Sequence, residues 1–373
     1  MKRVAFVLPR LVGGGAERAT LNLIAELSGW DAVILVEHEG GELRHHVLAR
    51  EVEVIGPARL GRSERIIKLG RALRRHRADL VVPVLSPVVG AAAARAAGVP
   101  VLQWLNAPVS TVPYVRESGI RGVAARLAIR RALEASAVAA VATPPLAREW
   151  IAVGAVPERL GALANPVPFD EIEPRAPDTV PREEARLALV ARLSEEKGHD
   201  LALRALAELC RQRPARLLVA GSGPLEARLR RRAGELEVAG HVEWLGFVED
   251  APGLIRSCDA LVVASQYEGL GTVLLEGLAC GTPIVATDVP HGPAFVLGGG
   301  RFGTLVRPGD PHALAAGIAR VLDARPLTST AIAASRERAA QFATRRVAER
   351  FCALAEFAGA PTPSIPPALR TWP

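Results

Sequence analysis

Cysteine is scarce in this chain. Cys210, Cys258, Cys280 and Cys352 are scattered through 373 residues and no two stand as C-x-x-C. That spacing excludes a disulfide framework and a cysteine zinc site, and it fits a reducing cytoplasm. No D-x-D pair falls in a suitable loop and no histidines cluster at ligand spacing, so no metal is expected. Long apolar runs are missing too. The most apolar window, Leu80 to Ala94, holds 15 residues, contains Pro83 and Pro87, and is stopped by Arg95. Crossing a bilayer takes about 20, so no transmembrane helix is expected. The apolar stretch Val4 to Leu8 is too short for an export signal, and none is expected. Aromatic residues make up only 4%, against 49% hydrophobic. Cores of Ala, Leu and Val follow, of the kind that helix-covered parallel sheets use.

Acidic residues are scarce in the first half. Residues 1–165 hold 22 Lys and Arg against 14 Asp and Glu, or +8, while residues 166–373 hold 24 against 25, or −1. The excess sits in Arg62 to Arg77 and again in Arg116, Arg121, Arg126, Arg130 and Arg131, at helical spacings. Such a face suits an anionic partner, or it simply keeps a helix soluble. Nucleic acid is not expected, because no aromatics interleave with these arginines for base stacking.

What is present is a βαβ rhythm. Strand-like runs fall at Val4–Leu8, Ala32–Val36, Val52–Ile55, Leu80–Leu85, Val99–Trp104 and Val138–Ala142, with helix-length segments between most of them. The stretch 165–181, NPVPFDEIEPRAPDTVP, is dense in proline and acid and reads as a connection between domains. A second set follows at Leu187–Val190, Leu217–Ala220, Val242–Leu245, Ala260–Ala264, Ile284–Ala286 and Gly303–Val306. Thr328 to Gly359 reads as helix with little interruption, before a proline-rich tail. Two doubly wound α/β domains are expected, with ligands beyond the C-terminal strand ends and in a cleft between the two.

The motifs lie at strand-to-helix turns. Gly13-Gly14-Gly15-Ala16-Glu17-Arg18 opens the first helix. Its glycines allow close approach of a phosphate to free N–H groups, or make a plain tight turn. In Ala191-Arg192-Leu193-Ser194-Glu195-Glu196-Lys197-Gly198 two cations flank a helix start. They could clamp a diphosphate or pair with Glu195 and Glu196 at the surface. Gly221-Ser222-Gly223-Pro224-Leu225 is a further glycine turn, but G-x-G-x-x-G is absent, which counts against a nicotinamide oxidoreductase. The most informative run is Glu268-Gly269-Leu270-Gly271-Thr272-Val273-Leu274-Leu275-Glu276. One carboxylate sits on a loop and one inside the next helix, and charged acceptors bind the hydroxyls of a sugar or ribose strongly.

This run, followed by Ala279-Cys280-Gly281-Thr282-Pro283-Ile284-Val285-Ala286, resembles the donor-binding motif of family-4 retaining glycosyltransferases. GGGAE, ARLSEEKG, GSGPL and Trp244 to Val248 (WLGFV) stand in that family's order and spacing and span most of the chain. The resemblance implies the GT-B fold, α/β, with two Rossmann-like domains facing each other across a cleft. Residues 1–168 would be the acceptor domain and 169–342 the donor domain, with a helix at about 343–373 packing back on the first. It implies that Glu276 holds the ribose hydroxyls and Glu268 the sugar near its reacting centre. The backbone of Leu270, Gly271 and Thr272 would contact sugar and phosphate, and Arg192 and Lys197 would take the diphosphate. Gly221 belongs to the same donor site, Gly14 and Gly15 would contribute from across the cleft, and the backbone near Val248 would meet the base. Glu268, Arg192 and Lys197 would be the catalytic set, acting without metal or cofactor. The reaction would retain anomeric configuration by front-side attack, the departing phosphate helping to remove the acceptor's proton. Many relatives carry a histidine where Asn106 stands here; an amide orients a hydroxyl but takes no proton. His291 is a further candidate, or a satisfied loop histidine.

The implied function is transfer of a sugar, with UDP-linked hexose or N-acetylhexosamine favoured over a GDP-sugar. The acceptor would be a glycan or a polyprenyl-diphosphate-linked oligosaccharide of bacterial surface-glycan assembly. The basic first half fits a cytoplasmic protein held peripherally on the inner face of the plasma membrane. Two alternatives stand beside it: a sugar-nucleotide epimerase or phosphorylase of the same fold, and a donor-binding partner subunit without turnover.

Overall fold

The structure, a computed structural model, describes residues 1–11, 14–38, 51–57, 59–112, 115, 117–176, 183–324, 327–359 and 365–372. Gly13 of the first glycine turn, Arg116 of the second basic run, residues 177–181 of the proline-rich connection and residues 361–364 and 373 of the tail lie outside them. The chain forms two compact units, one of residues 1–166 with 344–373, the other of residues 167–343.

The first unit begins β1 (Lys2–Leu8), α1 (Gly15–Ala25), β2 (Trp30–Val36), β3 (Glu51–Val54), α2 (Arg62–Arg75), β4 (Leu80–Pro83) and α3 (Pro87–Ala97). It continues with β5 (Leu102–Leu105), α4 (Ile120–Glu134), β6 (Val138–Val141), α5 (Pro144–Ala152) and β7 (Leu160–Ala162). All pairings are parallel, in the orders β3-β2-β1-β4 and β5-β6-β7, with single bridges Val81 to Val101 and Val84 to Trp104 joining the two sets. Val4 to Leu8 are fully buried on both faces, the mark of a parallel strand covered by helices on each side. Leu69 and Leu73 of α2 and Ala93 and Ala94 of α3 close one face.

The second unit holds β8 (Ala185–Val190), α6 (His199–Cys210), β9 (Ala215–Ala220), α7 (Glu226–Glu235), β10 (Val242–Gly246) and α8 (Ala251–Ser257). Then come β11 (Ala260–Val263), α9 (Thr272–Cys280), β12 (Ile284–Thr287), α10 (Pro293–Val296), β13 (Thr304–Val306), α11 (Pro311–Asp323) and α12 (Ser329–Ala340). Six parallel strands run in the order β10-β9-β8-β11-β12-β13. The chain winds outward from β8 to β10, returns, and winds outward again from β11. Side chains cap the helices that start sharply: Asp250 accepts from Gly253 N at 2.8 Å, and Asp310 from Ala313 N at 3.0 Å.

The last two helices, α13 (Thr344–Ala358) and α14 (Pro367–Arg370), belong to the first unit. Phe351 of α13 stacks on Phe6 of β1 with ring centroids 5.7 Å apart, and Trp372 Nε1 donates to Val141 O at 3.0 Å.

Several expectations need correcting. The helix read through Thr328 to Gly359 is two helices, broken at 341–343, where Phe342 O accepts from Val167 N at 3.0 Å and Ala343 bridges Val167. The strand read to Leu85 stops at Pro83, which has no N–H to extend a ladder, and Leu85 turns at φ 60°. The strand read from Val99 begins at Leu102, after Pro100. β7, only three residues long, carried no readable pattern.

Candidate active site

In an open parallel sheet the loops diverge where strand order reverses, leaving a crevice beyond the C-terminal strand ends. In the second unit that place is between β8 and β11. The loop after β8, residues 191–198, and the loop after β11, residues 264–271, therefore meet there. Gln266 N donates to Glu196 O at 2.8 Å, joining them. Two glycines make the packing possible. A Cβ at Gly198 (φ 66°) would overlap the Ala264 carbonyl, and one at Gly221 (φ 140°) would overlap the Ala191 carbonyl. The Gly221 turn is further tied down by Leu193 N donating to Ser222 O at 2.8 Å, and by Gly221 N donating to Gly246 O at 2.6 Å. The latter bond sets the end of β10, just before half-buried Val248, beside the glycine turn.

Lys197 Nζ donates to Glu268 Oε1 at 2.6 Å, and Ser265 Oγ donates to the same oxygen at 2.7 Å. Glu268 is buried; its backbone bridges His291, a non-glycine residue held at φ 85°. Thr287 Oγ1 supports the loop from below by donating to Ser265 O at 2.6 Å. Gly271, at φ 82°, turns the chain from buried Leu270 into α9, whose first residue is Thr272 and whose Glu276 is buried one turn on. A helix start presents N–H groups without intrahelical partners, so this corner gathers a cation, a carboxylate and a positive helix end.

Arg192 points elsewhere. Its Nη2 lies 3.2 Å from Glu196 Oε1, which also accepts from Ser194 Oγ at 2.6 Å. Burial pushes the Glu196 carboxyl up, but Ser194, a backbone N–H and Arg192 together hold it below the usual carboxylate range. Of the two arrangements the spacing admitted, Arg192 thus takes the surface pair, while Lys197 reaches across to Glu268. His199, first residue of α6, is buried, and burial with the Lys197 ammonium beside it pushes its imidazole down to about 4.

The structure gathers Arg192, Lys197, Gly221, Val248, Glu268, Leu270, Gly271, Thr272 and Glu276 on the loops and helix start beyond the C-terminal strand ends of one sheet. Gly14, Gly15 and Asn106 belong to the first unit. Gly14 precedes α1 and Gly15 is its first residue; a Cβ on Gly14 would press on the Glu17 carboxylate. Asn106 follows β5, buried, with Nδ2 donating to Asn165 Oδ1 at 3.5 Å. Sequence reading missed Ser265, Thr287 and His199; the S-x-x-E spacing of Ser265 and Glu268 carried a signal for the first. Among the described residues no group of three or more His, Cys, Asp or Glu could hold a metal ion.

The profile of the family described as Glycosyl transferases group 1 matches residues 170–338, which include every candidate of the second unit. The 2-deoxystreptamine glucosyltransferase of Streptomyces kanamyceticus is 30% identical over 275 residues, 67% of this chain and 70% of that enzyme. The chain belongs to the group 1 glycosyl transferases. Other likenesses are shorter. A Campylobacter jejuni N-acetylgalactosaminyltransferase acting on a diphospho-undecaprenol acceptor is 29% identical over 45% of this chain and 45% of its own length. An uncharacterised glycosyltransferase of Methanocaldococcus jannaschii is 34% identical over 38% of this chain and 36% of its own. The chain thus spans less than half the length of the last two relatives. In fold, HepE of Anabaena, solved with UDP and glucose, superposes with a TM-score of 0.79 over 95% of this chain and all of its own at 20% identity. That likeness shows the α/β GT-B fold for this group 1 chain, as the resemblance implied.

Proposed function

We propose that this chain is a retaining, metal-independent glycosyltransferase that moves a hexose or N-acetylhexosamine from a UDP-sugar to a glycan or lipid-linked acceptor in bacterial surface-glycan assembly. The observation that carries the reading is the Lys197–Glu268 pair, joined by Ser265, at the point where the order of the donor sheet reverses. Lys197 is half-buried and its partner is buried, so a diphosphate arriving there meets an ammonium already partly desolvated and held in place by Glu268. Arg192, more than half exposed, can leave Glu196 and add a bidentate grip. The N-terminus of α9 faces the phosphate through Gly271 and Thr272, Glu276 accepts from the ribose hydroxyls, and Glu268 accepts from a sugar hydroxyl.

In this reading the bond from the anomeric carbon to the phosphate oxygen breaks, and the acceptor oxygen bonds that carbon from the same face. The acceptor's proton passes to the departing phosphate, whose charge Lys197, Arg192 and the helix end stabilise. UDP is favoured because HepE, of the same fold, holds it; the GDP-mannose-dependent mannosyltransferase of Mycobacterium tuberculosis, 43% identical over 100 residues, makes GDP-sugars the comparison to run. A lipid-linked acceptor also accounts for the basic first unit, through peripheral contact with an anionic membrane.

The test is to incubate the protein with a panel of UDP- and GDP-sugars in excess chelator and follow the anomeric centre by NMR. The reading expects UDP release with retained configuration. Inverted product, or turnover that stops when chelator is added, sinks it.

A further inference from the structure

Helix α10 is only four residues long, too short to hold its shape by its own hydrogen bonds. Two of its carbonyls are tied down by a side chain from α12. Arg338 donates through Nη2 to Phe295 O at 2.7 Å and through Nε to Val296 O at 3.1 Å, while its Nη1 donates to Gln341 Oε1. The guanidinium also lies over the rings of Phe295 and Phe342, 5.3 and 4.8 Å from their centroids, and those rings meet edge to face at 6.1 Å. Arg338 is buried, burial pushes its pKa down, and all three of these acceptors are neutral. A buried cation held by neutral groups is costly, and an apolar side chain would fill the space beside two rings without that cost. What the planar fork adds is a fixed direction for bonds to two carbonyls at once.

The other end of α10 bears on the loop after β11. His291, two residues before the helix, bridges Glu268 through its backbone. Gly292, at φ −92°, is glycine for space rather than for backbone freedom, since a Cβ there would overlap the Leu270 carbonyl. Glu268 and Leu270 thus lean on residues 291 and 292, which α10 carries, and Arg338 fixes α10. Phe342, against the guanidinium, is itself anchored, because its carbonyl accepts from Val167 N at 3.0 Å. The support therefore ends on a fixed point and not on a loose helix.

We propose that Arg338 is a positioning residue of the donor site: through α10 and the His291-Gly292 turn it sets where Glu268 and Leu270 stand against Lys197 and the start of α9. The proposal rests on the reading of that loop as the donor site, and goes beyond it in giving the loop an anchor 70 residues further along the chain.

Hydrogen exchange is followed by mass spectrometry on the full chain without nucleotide, for wild type, Arg338→Met, Arg338→Lys and Gly292→Ala. The amide of Gln266, which donates to Glu196 O, lies in the segment 264–272. That segment should exchange about fivefold or more faster in Arg338→Met. Arg338→Lys keeps the charge but reaches one carbonyl at a time, and should fall between Arg338→Met and wild type. Gly292→Ala presses on Leu270 directly and should loosen the same segment. Should Arg338→Met fail to fold, Arg338→Lys and Gly292→Ala carry the same comparison. UDP titration of the same proteins reads the site, and Arg338→Met and Gly292→Ala should each weaken UDP by about tenfold. Ile318→Ala, in the core of the same unit on α11, is the control: it should lower the unfolding midpoint and leave both readings as in wild type. Exchange over 264–272 that matches wild type in the Arg338 variants overturns the proposal, as does a rise that Ile318→Ala reproduces. Exchange that rises while wild type binds no UDP keeps Arg338 as the anchor of the loop and sinks instead the reading of that loop as a donor site.

Discussion

Lys197 and Glu268 are coupled more tightly than an exposed pair, because the carboxylate is buried and the ammonium half so. Removing one partner leaves a desolvated charge behind. Lys197→Met should cost about 1–3 kcal/mol of stability and most of the transfer activity. Adding Glu268→Gln should restore much of the stability and none of the activity, read by urea denaturation and kcat/KM. A double variant that loses the sum of the two single losses would mean that the pair is not coupled. His199 gives a pH signature. Its folded pKa, about 4, lies below the ordinary 6.5, so the native state binds fewer protons than the unfolded chain. The stability it contributes is whole above about 6.5 and drains away as pH falls toward about 4, in total on the order of 3 kcal/mol. A His199→Leu variant should lose less stability than wild type between those values; parallel curves would contradict this. Neither feature was legible in sequence. Lys197 and Glu268 are separated by 71 residues, and nothing in the motif ARLSEEKG shows that the lysine, and not the arginine, reaches the second loop.

At the scale of elements, the strands of the second unit were legible because parallel strands covered on both faces read as short apolar runs between helix-length segments. What failed was set by contacts distant in sequence. Residues 341–343 contain neither glycine nor proline, and the helix breaks there because Phe342 O pairs with Val167 N. Gly198 shows the converse, a local signal whose reason only the fold supplies. Its φ of 66° and the Ala264 carbonyl against it leave no room for a side chain. Gly198→Ala should cost about 1–3 kcal/mol and, by pushing the loops after β8 and β11 apart, weaken nucleotide binding as well. Unchanged binding with lowered stability would show that the two loops set the site independently. Gly221 closes the neighbouring turn in the same way.

At the scale of the molecule, the two-unit architecture was legible from the restart of the βαβ rhythm, and the family from motifs that keep their order over most of the chain. The roles of single residues were less so. Asn106, for example, is engaged with Asn165, 59 residues on, a pairing that no motif announces. The division of charge, +8 before residue 166 and −1 after it, places the basic surface on the unit that does not carry the proposed donor site. Everything proposed about chemistry turns on that donor site. The measurement that tests it most directly is calorimetric titration of UDP and GDP, in excess chelator, into wild type and Glu276→Ala. The account predicts that UDP binds and that the substitution weakens it by about 1.5–3 kcal/mol, the loss of a charged hydrogen bond. If neither nucleotide binds, or Glu276→Ala binds as wild type does, the donor site is not where this account puts it.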